Sequence, residues 1–366
     1  MPFFCRRLTS RRFQIGWNFQ RALFLPETCY IVRVNGTILR ERRTGLLLYG
    51  ALVGFVYGLG VRIGFTSPAT SKSFAVMSLS FLFLMPFAMG FLTVYFVERR
   101  RPQPTWIWLV LPLLPVFAGL VTTLVALWEG MICILMFAPI GIGLGVIGGL
   151  LGGLLGRRLG SQRFSNLALM CVAVLPLVVS PWEQGVLNRR EIRTVTSSVE
   201  IHASPSVIWK NIERVPAIKA AELPESWSHR IGFPNPVEAT LSFAGDGGVR
   251  HASFEGGVLF IENIDVWEPE RCLAFSIHAQ TAQIPRTTLD EHVAVGGPFF
   301  DVLRGEYRLE TLSDGMVRLH LASQHRVSTD FNWYAHLWTD AVMQDLQRRI
   351  LYVVKNRSER AASPLK

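Results

Sequence analysis

The stretch VTSSVEIHASPSVIWKNI, Val195 to Ile212, changes its period in the middle. Val195, Ser197, Val199 and Ile201 alternate with Thr196, Ser198, Glu200 and His202, the period of two that sends successive side chains to opposite faces of a half-buried strand. Ser204 and Pro205 then end the strand and open a helix. Serine is a favoured cap residue, and proline at the first helical position surrenders an N–H that has no partner there. Val207, Ile208 and Trp209 continue the helix.

Toward the C-terminus the alternation returns. Val237, Ala239, Leu241 and Phe243 form one apolar face; Leu273, Phe275 and Ile277 form another; Val317, Leu319 and Leu321 stand opposite Arg318 and His320. Arg304, Glu306, Arg308 and Glu310 read as a solvent face backed by Leu303, Gly305, Tyr307 and Leu309. Turn signals at Gly245–Gly248 (GDGG) and Ser313–Gly315 (SDG) separate the strands at hairpin distances, which predicts an antiparallel sheet. From about Phe331 to Arg357, Tyr334, Trp338, Val342, Leu346, Ile350 and Val353 recur at spacings of four and three, the stripe of an amphipathic helix, with Asp340, Asp345 and Arg348 mostly off it. A long helix across a curved antiparallel sheet is an α+β arrangement that tends to enclose a cavity.

The order of strand, SPSVIW helix, further strands and long terminal helix resembles the SRPBCC, or helix-grip, superfamily, which includes START-like lipid-binding and polyketide-cyclase-like domains. The residues that carry the resemblance are Val195 to Ile212, the segment DVWEPERCLAF (Asp265 to Phe275) and RGEYRLETLSDGMVRLHL (Arg304 to Leu321). It covers about residues 193–357. It implies a curved sheet wrapped on the terminal helix around a cavity, and no fixed catalytic set. The whole layout is similar to bacterial membrane-anchored SRPBCC proteins.

Upstream of Pro181 the text is of another kind. A spanning helix needs about 20 apolar residues to cross a hydrocarbon core of about 30 Å. The stretches 45–65, 74–97, 106–128 and 131–155 meet that need, and a shorter fifth, 166–180, contains Pro176. No polar residue interrupts the fifth, so five spans are expected, with four as the alternative. Residues 1–44 form a basic tail with nine Arg, and residues 358–366 a short C-terminal tail. The first apolar run reads as an uncleaved anchor. Arg33, Arg40, Arg42 and Arg43 precede it; Arg99, Arg100 and Arg101, then Arg157, Arg158 and Arg163, sit in alternate connections, while the others hold only Lys72 and Glu129. Lys and Arg stay on the cytoplasmic side, so the N-terminus is expected there. Five spans then put the soluble domain outside, periplasmic in a Gram-negative cell; four leave it in the cytoplasm.

Charge follows the same division. Residues 1–180 carry 17 Lys and Arg against Glu27, Glu41, Glu98 and Glu129, whereas the remainder is slightly acidic, so the net +10 belongs to the membrane half. Arginines beside apolar runs mark loops, which argues against nucleic acid as a partner and for the bilayer. Arg62, near the outer end of the first span, reads as snorkelling to the interface, and Glu129 as a turn residue. The run Gly141 to Gly160 lacks the Lys-Ser or Lys-Thr pair of a phosphate loop. Gly141, Gly145, Gly149 and Gly153 instead recur on one helix face, where neighbouring helices can approach closely.

Strand parity places Glu262 with Val258, Phe260, Ile264 and Val266, and His325 with Val317, Leu319 and Leu321. With Tyr307 and Trp338 they make a candidate lining for a hydrophobic ligand pocket. A one-residue bulge would turn Glu262 or His325 outward, and Tyr307 reads equally as a core residue. Outward parity makes His278 and His320 surface residues, and His251, His292 and Glu291 lack metal-ligand spacing. The five cysteines offer neither that spacing nor a disulfide within the soluble half, and no cofactor is expected. The connection from Gln280 to Phe300, with Pro285, Gly296, Gly297 and Pro298, reads as a cover for the cavity mouth or as irregular surface. Three functions stay open: a membrane-tethered binding module for a lipid or other apolar molecule, a cyclase- or hydrolase-like enzyme using Glu262 and His325, and an assembly protein with a filled interior. The sequence names no protein partner.

Overall fold

The structure, a computed structural model, describes residues 36–66, 77–158, 162–183, 190–280, 294–313 and 315–363. Among them, five helices are long and apolar enough to cross a membrane. α1 spans Gly36–Thr66 and starts earlier than the predicted residue 45, carrying the basic cluster into the helix. The second span is one π-helical turn, Ser80–Leu84, continued by α2, Met85–Arg100. The wide turn lies just before Pro86, whose ring would crowd the carbonyl four residues back in regular α geometry. The predicted start at residue 74 lies outside the described residues.

The third of these candidate spans is broken. α3 (Thr105–Val110) and α4 (Leu113–Val125) are separated at Pro112, which cannot donate to the carbonyl of Trp108, and the helix ends short of the predicted residue 128. α5 runs Met131–Arg158 and α6 Gln162–Glu183, the latter with Pro176 and Pro181 inside it. α2 is buried on most of its surface, while α1, α4 and α6 leave Leu52, Val56, Val121, Met170 and Val178 exposed.

α5 packs on α2 through small residues. A Cβ on Gly148 would lie 2.0 Å from the Phe87 carbonyl oxygen, and one on Gly152 2.4 Å from that of Phe91. The predicted face of Gly145, Gly149 and Gly153 is buried too, with Trp108 against Gly153. The close approach is therefore wider than a single four-residue stripe: Gly148 and Gly152 take α2, and Gly149 and Gly153 take the α3 side.

The second half is a curled seven-stranded antiparallel sheet with a C-terminal helix. β1 (Glu191–Ile201), β2 (Pro236–Leu241), β3 (Val249–Phe254), β4 (Leu259–Glu268), β5 (Cys272–Gln280), β6 (Phe300–Thr311) and β7 (Val317–Val327) lie in the order β1-β7-β6-β5-β4-β3-β2. α7 (Pro205–Glu213) follows β1 as the SP signal predicts, and α8 is the single turn Trp227–Arg230. α9 runs Asn332–Ala362, past the predicted end at Arg357.

One end of the sheet interior is solid. Ile201, Ile208, Ile212, Leu273, Leu319 and Leu351 are almost fully buried in one cluster joining the sheet, α7 and α9. Burying such a side chain stabilises by about 1.5–3 kcal/mol, so this cluster fixes the helix on the sheet. Gln347 sets the register: its Nε2 donates to the Val195 carbonyl oxygen and to Ser323 Oγ, both at 2.9 Å, and its Oε1 accepts from Ser197 Oγ at 2.8 Å.

Two bulges correct the predicted parity. The β4–β5 register shifts between Ile264 and Val266, so Trp267, opposite Leu273, packs on the core in the place expected for Val266. The β6–β7 register shifts between Val302 and Arg304, so Val302, opposite His325, is buried in the place expected for Leu303. One extra residue reverses every side chain beyond it, and alternation alone does not reveal where it sits.

Candidate functional site

The other end of the sheet interior is hollow. α9 turns Ala335, Trp338, Val342, Leu346 and Arg349 to one side, at spacings of three and four, and the sheet faces them with Phe260, Phe300, Val302 and Val327. Met77, Ile132 and Met136 of the helical bundle close the remaining side. Together they bound a partly open cavity of about 120 Å³. The wall is almost wholly apolar, with Ser228, Thr329, Thr339 and Arg349 as its polar members.

Arg349 is 3% exposed. Its Nε has no hydrogen-bond partner, and among the described residues no carboxylate pairs with it. Burial draws the guanidinium below its ordinary pKa, with the Asp345 and Glu255 carboxylates acting the other way. Neither acid reaches it as a partner. Asp345 Oδ2 accepts from Ser226 Oγ and Ser228 Oγ, each at 2.5 Å, and Glu255 accepts from Asn235.

Of the four residues singled out in the sequence, Trp338 lies on this wall; Glu262, Tyr307 and His325 do not. Glu262 faces inward, 6% exposed, because the β4 bulge falls beyond it. It is paired with Arg250, itself buried, whose guanidinium also meets the Tyr307 hydroxyl and the Phe275 ring. Burial holds the Glu262 carboxyl and the Tyr307 hydroxyl above their ordinary ranges, against the pull of Arg250. This charged knot ties β3, β4 and β6 together.

His325 is fully buried under α9 beside Phe300. Its Nε2 lies 3.4 Å from Asp340 Oδ1, too poorly aligned for a hydrogen bond, while Asp340 is held by Arg193 at 2.8 Å. Glu262, paired with Arg250 on β3, and His325, facing Asp340 of α9, thus stand in separate surroundings, and neither lies on the cavity wall. Among the described residues no group of three His, Cys, Asp or Glu is placed to hold a metal ion. Of the connection 280–300, Val295 and Phe299 border the cavity, whereas Pro285, Glu291 and His292 lie outside the described residues.

Arg349, Arg250 and Gln347 are absent from the sequence-based candidates. Arg349 carried a signal: it falls three residues after Leu346, on the apolar stripe of α9, where a charge is out of place. Arg250 shares its strand parity with Ala252, which marks it as inward.

A second cavity, of about 120 Å³, lies inside the bundle between Phe55, Met85, Met89, Val116 and Phe137, and it shares Met77, Met136 and Phe331 with the first. Arg62 and Glu129 border it. Arg62 does not snorkel: its Nη2 donates to Glu129 Oε1 at 2.6 Å, with the Phe81 and Trp128 rings on either hand. A buried guanidinium left without a counter-ion is costly, and the carboxylate on the turn between α4 and α5 supplies one.

No family model matches the chain, and no curated protein matches it in sequence. Among solved structures it is similar to the Zhui aromatase/cyclase from Streptomyces sp. R1128, at 16% identity over 47% of this chain and 97% of that one, with a TM-score of 0.31. It is similar also to a conserved protein from Geobacillus kaustophilus, at 12% identity over 47% of this chain and 98% of that one (TM-score 0.30). The Aha1 dimer from Colwellia psychrerythraea matches at 14% identity over 46% and 96% (TM-score 0.24). What these proteins bind or do is not transferred at such distances; the strand order and the position of α9 carry the description of the fold.

Proposed function

We propose that this chain is a multi-pass membrane protein, bacterial in type, whose sheet-and-helix domain holds a lipid or other hydrophobic small molecule beside the bilayer. The observation that carries the reading is the cavity between α9 and the sheet, apolar over nearly all its wall and bordered by Met77, Ile132 and Met136 of the helical bundle. The side chains between the bundle and the cavity are apolar, which suits passage of a hydrophobic ligand, and tethering keeps domain and lipid at high local concentration.

Membrane insertion is supported by the exposed Leu48, Leu52, Val56, Val121 and Met170, a belt of apolar surface that soluble monomers rarely carry. Arg99, Arg100, Arg157 and Arg158 gather at one end of the bundle, and the sheet domain docks at the other. The positive-inside rule then places the N-terminus in the cytoplasm and the domain outside it.

The test is native mass spectrometry of the full chain released gently from its membrane. The wild type retains an apolar molecule, and Val342→Trp, which fills the cavity, loses it while melting normally. An empty wild type, or equal retention by Val342→Trp, overturns the reading.

A further inference from the structure

Arg349 is the one cation on the wall of the α9 cavity among the described residues. A guanidinium removed from water without a hydrogen-bonded counter-ion is costly, and proteins ordinarily pair it or replace it. Here the neighbouring acids are committed elsewhere: Asp345 to the Ser226 and Ser228 hydroxyls, Glu255 to Asn235. The hydroxyls of the wall are engaged elsewhere as well, Ser228 with Asp345, Thr329 with Asn332 and Thr339 with the His336 carbonyl oxygen, and the rest of the wall, from Phe260 and Val302 to Trp338 and Leu346, is apolar. From Arg349 the apolar surface leads to Met77, Met136 and Phe331, which also border the bundle cavity. The cavity thus presents a charge at one point and an apolar surface leading toward the helical bundle.

We infer that the cavity selects an amphiphile with a single acidic head, a carboxylate or a phosphate, bound by the buried Arg349 guanidinium, with its apolar chain directed toward Met136 and Phe331. This deepens the ligand-holding reading and rests on it. Arginine suits the task because its fork of donors matches a carboxylate or phosphate in two parallel bonds, and charge-assisted bonds of this kind are the stronger ones. A neutral chain of equal length fills the same space but leaves the cation unpaired.

The test uses the full chain in phosphatidylcholine nanodiscs with four probes: palmitate, hexadecyl phosphate, hexadecanol and inorganic phosphate. The wild type binds palmitate and hexadecyl phosphate at least about tenfold more tightly than hexadecanol, as expected for one charge-assisted pair. Millimolar inorganic phosphate displaces neither. Arg349→Leu reduces the acid-over-alcohol preference to less than about threefold, Arg349→Lys keeps part of it, and hexadecanol binds both variants as it binds the wild type. The empty Arg349→Leu protein melts at or above the wild-type temperature, because an unpartnered buried charge has been removed.

Equal binding of acid and alcohol by the wild type, or a preference that survives Arg349→Leu, overturns the inference while leaving the ligand-holding reading intact. Displacement by inorganic phosphate alone assigns Arg349 to the free anion and overturns it as well. If no hexadecyl probe binds, the cavity is not a ligand site and both readings fall. A lower melting temperature of the empty Arg349→Leu protein reveals a structural partner for the guanidinium and removes the basis of the proposal.

Discussion

Tyr334 Oη donates a hydrogen bond of 2.5 Å to the carbonyl oxygen of Met136, joining the first turn of α9 to the backbone of α5. Phe331 and Ala335, on either side in sequence, pack with Val61, Phe65, Met85 and Met89 in one apolar cluster. The beginning of the cavity helix is therefore part of the end of the helical bundle that faces the sheet.

Tyr334→Phe removes one bond from this joint and leaves its packing. The loss is about 1 kcal/mol. Hydrogen exchange in the first two turns of α9 is expected to speed up, with the far end of the helix unchanged. Uniform acceleration along α9 would mean that the joint does not act locally.

The Arg62–Glu129 pair is largely buried, and removal of one member leaves a charge without its partner. Glu129→Gln is expected to destabilise the bundle by about 3–5 kcal/mol, and Arg62→Met with Glu129→Gln to recover much of the loss. A double-mutant cycle on thermal melting in detergent measures the coupling. Additive effects would show that the two side chains do not depend on each other.

Gly148 and Gly143 lie on the same helix in opposite situations. Nothing stands within 4 Å of a Cβ on Gly143, while one on Gly148 meets the Phe87 backbone. Gly148→Ala is expected to lower the melting temperature and the folded yield markedly, and Gly143→Ala to change neither. Similar behaviour of the two variants would contradict the α2–α5 packing.

Burial holds the His325 imidazole below its ordinary value of 6.5, with Arg193 and His336 adding to the lowering and Asp340 opposing it. The folded state accordingly binds the proton less readily than the unfolded chain. Stability is full above 6.5 and falls as pH drops below that value toward the folded pKa. Melting temperatures at about pH 7.5 and about pH 5.5 should differ less for His325→Leu than for the wild type. A wild-type slope unchanged by the substitution would assign the effect to another group.

The sequence made both halves legible because each obeys a strong period. Long apolar runs mark α1, α2, α5 and α6, alternation marks β1, β5 and β7, and the stripe from Tyr334 to Val353 marks α9. Bulges at Asp265 and Leu303 escaped because an inserted residue leaves composition untouched and only reverses the facing of its strand neighbours. Pairings between distant segments escaped for another reason. Arg62 and Glu129 are 67 residues apart, and each taken alone satisfies an interfacial role. The candidate site was read from strands, which supplied Glu262, Tyr307 and His325, whereas the cavity lies at the end of the sheet nearest the bundle and takes its one cation from α9. Trp338 was legible there because it shares the stripe. Arg349 interrupts that stripe and was not singled out.

Photo-crosslinking with a diazirine-labelled palmitate, with peptide mapping of the full chain in phosphatidylcholine nanodiscs, tests the central claim most directly. The account predicts adducts on Phe260, Val302, Trp338, Val342 and Met343 that Val342→Trp abolishes. Adducts confined to outward residues such as Leu109, Val121 and Leu167, unchanged by Val342→Trp, would show that the lipid touches only the outside of the bundle and that the cavity holds none.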